Sequence, residues 1–156
     1  SLIHGGGQEH GLRSGTENVA WAVAIATAFD SLPSQEDEAK RIAKLRDEFI
    51  SSVLAKIPSA KLTGHPTNRL PNIASFTLEG VSGEAVLLEL ERRGVIVSSG
   101  SACAAGSDEP SHVLLAIGIS PEVAQTAVRF SFSHETTEAE LSQAAIALAE
   151  SVSVFI

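Results

Sequence analysis

The chain has 156 residues, of which 44% are hydrophobic, 19 are acidic and 11 are basic, giving a formal net charge of −8 at pH 7. This length and composition suit one globular domain or slightly more. The acidic balance argues against a protein that binds nucleic-acid phosphates and against adhesion to anionic membranes. Cys103 is the only cysteine, so no internal disulfide can form and a reducing cytoplasm is the expected compartment. Since the sequence contains no methionine, we expect a processed product or a piece of a longer protein.

Two helices are predicted in the first third of the chain. The first covers roughly residues 15–31, because five alanines fall in its apolar run and Ser14 with Glu17 fits a capping box. The second runs from about residue 35 to Pro58 and carries an apolar residue at every third or fourth position. The members of that stripe are Ile42, Leu45, Phe49 and Val53.

The middle of the chain predicts strands on either side of a helix. A short strand is expected at Ala60–Leu62, and a longer one over residues 72–78, where side chains alternate. A helix over residues 84–93 ends at Gly94, which is suited to the left-handed cap. The apolar residues 95–97 are then expected to form a short buried strand.

The last third predicts short helices, one strand and a long helix. Residues 111–117 and the turn that opens at Pro121 are expected to be helical, and residues 127–132 alternate like a strand. Thr137 and Glu140 form a second capping box. The helix that follows carries the apolar stripe Leu141, Ala145, Leu148 and Val152. This order of elements predicts an α/β (or α+β) fold, with helices packed on a small sheet of about three or four strands.

Residues 12–17 are the first candidate binding segment. A glycine, two hydroxyl groups and an arginine come together where the first helix is expected to begin. Free amides and the positive end of a helix dipole make such a position suitable for an anion or a phosphate. The alternative is an ordinary capped helix start.

Cys103 is the candidate nucleophile. It lies among ten small residues, 98–107, which favour exposure over packing in a core. No basic residue lies within five positions to lower the pKa of the thiol, so its activation has to come from elsewhere. A cysteine hydrolase that uses His112 or His134 as its base is a less favoured alternative.

Arg129 is the candidate carboxylate-binding residue. It lies among apolar and aromatic residues in the strand predicted over residues 127–132. Its planar guanidinium can hold a carboxylate through two parallel hydrogen bonds. The alternative is an arginine on the exposed face of an edge strand.

Three segments, in order, resemble the class I cysteine desulfurases. Residues 5–18, with the run Gly-Gly-Gly-Gln-Glu and the run Gly-Leu-Arg-Ser-Gly-Thr-Glu-Asn, are similar to a signature of that family. Residues 98–103 and 109–114 resemble the loop that carries the catalytic cysteine. Residues 128–131 and 136–138 match the C-terminal strand and helix of the family.

The resemblance implies an enzyme dependent on pyridoxal 5'-phosphate (PLP), homodimeric, with the aminotransferase-like type I fold. Such enzymes convert L-cysteine to L-alanine and keep the sulfur as a persulfide for iron–sulfur cluster assembly or another thio-cofactor. By resemblance, Cys103 is the nucleophile that accepts the sulfur, Arg129 holds the substrate carboxylate and Thr16 binds the PLP phosphate of the neighbouring subunit. A sulfur-acceptor or iron–sulfur scaffold protein is the implied partner, with neither nucleic acid nor membrane. No metal site is implied beyond contact of the Cys103 persulfide with an iron–sulfur cluster.

One departure from the family concerns the lysine that carries PLP. The family's lysine lies in a segment that precedes the triple glycine, and none of the four lysines here matches it: Lys40, Lys44, Lys56 and Lys61. We therefore expect residues 1–156 to be the C-terminal domain of such an enzyme. Residues 1–32 would be a linker segment and helix that join an absent lysine-bearing domain, and the isolated chain would be inactive. The alternative is a stand-alone α/β module that binds a small anion or docks a partner.

Overall fold

The computed structural model describes residues 1–32, 34–99 and 109–156. The chain forms two compact units, Ser1–Gln35 and Glu36–Ile156. No helix in these described ranges is long and apolar enough to cross a membrane.

The first unit contains a short 3-10 turn, Glu9–Gly11, and one α-helix, α1 (Val19–Asp30). The helix begins later than the sequence predicts, because the Asn18 side chain accepts a hydrogen bond from the Trp21 amide at 3.0 Å and so caps it. The capping box expected of Ser14 and Glu17 is therefore wrong. Gly15 has a φ of 105°, a left-handed conformation that a right-handed helix cannot include.

The second unit contains all the strands that the structure describes. Its elements are α2 (Gln35–Lys56, whose first residue lies at the unit boundary), β1 (Ala60–Leu62), β2 (Ile73–Leu78), α3 (Gly83–Arg92), β3 (Ser98–Ser99), α4 (His112–Ala116), α5 (Pro121–Ala124), β4 (Ala127–Ser131) and α6 (Glu138–Ser153). The strands form one four-stranded sheet in the order β1-β2-β4-β3, and every neighbouring pair is antiparallel. The expectation of helices packed on a small sheet is confirmed.

The predicted strand at residues 95–97 is wrong, because pairing with β4 begins only at Ser98. The end of α3 explains the delay. Gly94 takes a left-handed φ of 79°, as expected, and the Val95 amide then donates to the Leu90 carbonyl at 2.9 Å. This cap holds the chain at the helix end, and Ile96 is left 89% exposed.

One face of the sheet carries the main core. Successive residues of a strand point to opposite faces, so Val128 and Phe130 of β4 lie on the same side, and both are buried. The Phe130 ring lies 4.8 Å from the ring of Phe49 on α2, measured between centroids. The predicted stripes of α2 and α6 are confirmed, as is the capping box of Thr137 and Glu140.

The opposite face of the sheet is only partly covered. Ala127 of β4 packs there with Leu114 of α4 and Ala124 of α5 in a second, small cluster. Arg129, two residues further along β4, lies on the same face. The fold therefore places this arginine beside a small apolar cluster and away from the main core.

Gly83, the first residue of α3, lies close to the backbone just before and at the start of β4, and its replacement tests this packing. A Cβ atom there would lie 2.7 Å from the Ala127 carbonyl oxygen and 2.9 Å from that of Gln125, both backbone atoms. We expect Gly83→Ala to lower the free energy of unfolding by about 1–3 kcal/mol, since overpacking outweighs the better helix propensity of alanine. Urea denaturation measures the change. Gly7→Ala, where a Cβ meets nothing within 4 Å, is the control, and an equal effect in both variants would contradict the close approach.

The capping box of α6 predicts that the stability of the fold depends on pH. The backbone N–H of Thr137 donates to the Glu140 carboxylate at 2.8 Å, and this bond lowers the pKa of Glu140 below its ordinary value of 4.5. A lowered folded-state pKa stabilises the fold above the unfolded-state pKa, and that contribution is lost as pH falls through the folded value. We expect Glu140→Gln to be less stable than the wild type at neutral pH. The difference in free energy of unfolding between the two proteins should shrink as the pH falls below 4.5. Urea denaturation at a series of pH values measures it, and a difference that does not change with pH would contradict the role of the Glu140 carboxylate.

Candidate functional site

The loop before α1 is closed by its own hydrogen bonds. The Leu2 amide donates to the Leu12 carbonyl at 3.0 Å, and the Ser14 amide donates to the Ile3 carbonyl at 3.1 Å. The Ser14 side chain is buried, and its hydroxyl donates to the Gly6 carbonyl at 2.6 Å. Ser14 therefore ties the triple-glycine segment to the residues before α1.

The same loop contains backbone strain that the sequence does not reveal. Glu9 and His10 have φ values of 51° and 55°, which non-glycine residues rarely adopt, and Gly11 continues the left-handed run at 77°. Each of the two non-glycine residues, Glu9 and His10, costs roughly 1–3 kcal/mol of conformational energy in this region. The amides of Gly11 and Leu12 hold the turn through bonds of 3.0 Å to the carbonyls of Gln8 and Glu9.

Thr16 lies on the exposed side of this loop. Its hydroxyl forms no hydrogen bond with any described residue, while Nη1 of Arg13 donates to the carbonyls of Gly15 and Thr16 at 3.3 and 3.5 Å. A guanidinium and an unused hydroxyl on the same short segment can together bind an anion. The helix dipole adds less than predicted, because α1 is capped at Asn18 and Thr16 precedes that cap.

Arg129 lies in the central region of the sheet, since β4 pairs with β2 on one side and with β3 on the other. The alternative of an arginine on an edge strand is therefore wrong. The side chain is half-buried, and its Nε is buried without a hydrogen-bond partner among the described residues. Arg129 forms no salt bridge with any described residue, so its charge has no carboxylate partner in the part of the chain that the structure describes.

Arg129 is one member of a polar row that crosses the sheet. It lies directly opposite Ser75 of β2 and Ser98 of β3. The row continues to Thr63, whose amide donates to the Ser75 carbonyl at 2.9 Å just beyond β1. Directly opposite residues of antiparallel strands share a face, so these four side chains lie together on the face away from the main core. We name Thr63, Ser75, Arg129 and Ser98 the polar row.

Two further arginines support the end of the polar row. Nη2 of Arg69 donates to the Thr63 carbonyl at 2.5 Å. Arg46 is buried on α2, where its Nη1 donates to the Leu70 carbonyl at 2.7 Å and its Nε donates to the Asp47 carboxylate at 2.9 Å. Burial lowers the pKa of Arg69, and the neighbouring charge of Arg46 lowers it further. The sequence analysis identified neither arginine.

The remaining candidates lie at separate places. Cys103 lies outside the described residues. His112 begins α4 and His134 follows β4; both are exposed, and neither imidazole bonds to a described residue. Neither histidine therefore forms, with a described carboxylate, the hydrogen-bonded pair that a hydrolase uses. The described residues also contain no group of three or more His, Cys, Asp or Glu side chains that could hold a metal ion.

Comparisons with known proteins agree on one family. Residues 3–143 match the aminotransferase class-V family model. Cysteine desulfurase NifS of Azotobacter vinelandii is 46% identical over 141 residues, which cover 90% of this chain and 35% of that protein. The chain therefore spans about a third of the length of the curated relatives it matches.

Solved structures show the same likeness. A NifS-like protein superposes with a TM-score of 0.76 at 32% sequence identity, covering 98% of this chain and 39% of that one. A structure of SspA in complex with cysteine gives a TM-score of 0.58 at 32% identity, covering 87% of this chain and 36% of that one.

Proposed function

The chain belongs to the aminotransferase class-V family, and from that premise we propose that it forms part of a PLP-dependent cysteine desulfurase. The proposed reaction converts L-cysteine to L-alanine and leaves the substrate sulfur on Cys103 as a persulfide. The likeness to a protein named cysteine desulfurase, which extends over nine-tenths of this chain, supports this assignment.

The observation that carries the proposal is the state of Arg129. Its guanidinium lies half-buried on a partly covered sheet face and has no carboxylate partner among the described residues. Such a cation requires an acceptor, and the carboxylate of an amino-acid substrate supplies two oxygens in the geometry that the guanidinium fits. SspA, a structural neighbour, was solved in complex with cysteine.

Cys103 is the proposed sulfur acceptor, and the chain connects it to the strand beside Arg129. Ser98 lies directly opposite Arg129, and five residues lead from Ser98 to Cys103. An extended chain spans at most about 3.6 Å per residue, so the Cα atoms of Ser98 and Cys103 are at most about 18 Å apart. The cysteine is thus tethered to the strand that pairs with the substrate-binding strand.

The transfer itself is a nucleophilic displacement at sulfur. The Cys103 thiolate attacks the substrate sulfur, so that a new S–S bond forms as the substrate Cβ–S bond breaks. The electron pair of the broken bond stays with the carbon skeleton, which takes up a proton and leaves as alanine. When bound, PLP withdraws electrons from the amino acid and so allows this bond to break.

The described residues fit the phosphate end of PLP only. The free Thr16 hydroxyl beside Arg13 suits a phosphate, and we assign Thr16 that role toward the cofactor of the partner subunit in a homodimer. The four lysines do not fit the other end. Lys40, Lys44 and Lys61 pair with glutamates at the surface, and Lys56 is exposed in the last turn of α2. The PLP-bearing lysine therefore belongs to another segment of the enzyme, joined through residues 1–32.

The proposed partners follow from the fate of the sulfur. A persulfide on Cys103 has to be passed to an acceptor, which we assign as a sulfur-carrier or iron–sulfur scaffold protein. Thiols persist in a reducing compartment, so the cytoplasm is the proposed location.

Replacement of Cys103 tests the sulfur transfer. We expect Cys103→Ser, made in the complete polypeptide encoded by the gene that carries this sequence, to reduce alanine release from cysteine at least about 100-fold. Persulfide on the protein should be lost, while the visible absorbance of bound PLP should stay as in the wild type. Mass spectrometry after incubation with cysteine detects the persulfide. Persulfide retained on the Cys103→Ser protein would refute the assignment, and a wild type that releases no alanine would favour the anion-binding module.

Replacement of Arg129 tests substrate binding. We expect Arg129→Ala to raise KM for cysteine roughly 100-fold, because a charged, two-pronged contact is lost, and Arg129→Lys to recover only part of it. Bound PLP absorbance should not change. Arg92→Ala is the control, since that side chain is 80% exposed and pairs only with Glu89 among the described residues. An unchanged KM in Arg129→Ala would make Arg129 a structural strand residue.

A further inference from the structure

Arg129 has a buried side-chain donor, Nε, that is unsatisfied among the described residues. Buried N–H donors are normally paired, and a protein acceptor for Nε would leave the terminal nitrogens free for a ligand. The side chains that lie directly opposite Arg129 are those of Ser75 and Ser98.

We propose that Ser75 is a positioning residue for Arg129: its hydroxyl accepts the Nε–H and fixes the plane of the guanidinium toward the substrate carboxylate. This inference rests on the proposed function and adds to it a residue that selects for the carboxylate of the substrate. Side chains directly opposite each other in antiparallel strands have Cβ atoms about 4.5–5.5 Å apart, so side-chain rotation can bring the Ser75 hydroxyl to Nε of Arg129.

The surroundings of Ser75 suit a fixed acceptor. Its hydroxyl is not used by any described residue, while its backbone carbonyl accepts two hydrogen bonds from Thr63, from the amide at 2.9 Å and from the hydroxyl at 3.2 Å. Thr63 is held in turn by Arg69, whose Nη2 donates a hydrogen bond to the Thr63 carbonyl. Ser75 is thus half-buried on a strand whose position is fixed from the side opposite Arg129.

Ser98 is the weaker of the two neighbours. It belongs to a strand of two residues at the edge of the sheet, whereas Ser75 lies inside a six-residue strand that pairs on both sides. An acceptor that must hold one orientation through a reaction is better placed on the longer, internal strand. Nε of Arg129 has no hydrogen bond to a described residue, and we expect the bond to Ser75 to form when substrate binds, as such contacts commonly tighten then.

The experiment compares four variants, at Ser75, Ser98 and Ser131, in the complete encoded polypeptide with PLP bound. We expect Ser75→Ala to raise KM for cysteine about tenfold with kcat within about twofold of the wild type, since the serine supports binding and not the chemical step. Ser75→Thr keeps the hydroxyl and should restore KM to within about threefold. Ser131→Ala, an exposed serine on the same strand face as Arg129, is the matched control and should leave both constants unchanged.

A second measurement separates positioning from a general loss of structure. Cysteamine is cysteine without the carboxylate, so its inhibition constant should not change in Ser75→Ala if the serine acts only through Arg129 and the carboxylate. Equal losses for cysteine and cysteamine, or no rescue by threonine, would overturn the inference. So would a wild-type KM in Ser75→Ala, or a KM effect confined to Ser98→Ala. A wild-type polypeptide that does not convert cysteine to alanine would instead refute the proposed function.

Discussion

The pairing of β4 with neighbours on both sides is the constraint on which the second unit depends. Because β4 alternates, the same five residues supply the main core with Val128 and Phe130 and place Arg129 on the other face. A shift of the strand by one residue would exchange these faces and bury the guanidinium among aromatic rings. Core packing and the position of the candidate ligand-binding group are therefore set by one register.

Local sequence signals predicted the elements that are determined locally. The capping box of Thr137 and Glu140 and the apolar stripes of α2 and α6 depend on residues three or four positions apart, and the structure contains all of them. The strand β4 was likewise predicted from its alternation. These features need no knowledge of what packs against them.

The features that the sequence did not reveal depend on distant partners or on single backbone angles. The apolar residues 95–97 predict a strand, yet the helix cap at Gly94 delays pairing until Ser98 reaches β4. The order of the strands is also non-local, so the sequence could not place Arg129 between two neighbours instead of at an edge.

The buried Arg46 of α2 can be recognised from the sequence by its position. Arg46 follows Ile42 by four positions and precedes Phe49 by three, which places it on the apolar stripe. A charged residue on such a stripe predicts a specific partner, and the structure supplies the Leu70 carbonyl and the Asp47 carboxylate. Which carbonyl it meets is fixed by the loop between β1 and β2 and could not be predicted.

Because β3 is short, its pairing with β4 contributes less to the sheet than the pairing of β2 with β4. Among the described residues, only Ser98 and Ser99 pair with β4 on this side, at the edge of the sheet, so their separation breaks few contacts. The three strands β1, β2 and β4 remain joined, and the main core on their other face is not opened. Ser98 and Ser99 can thus part from β4 at small energetic cost, while Arg129 keeps its register against β2.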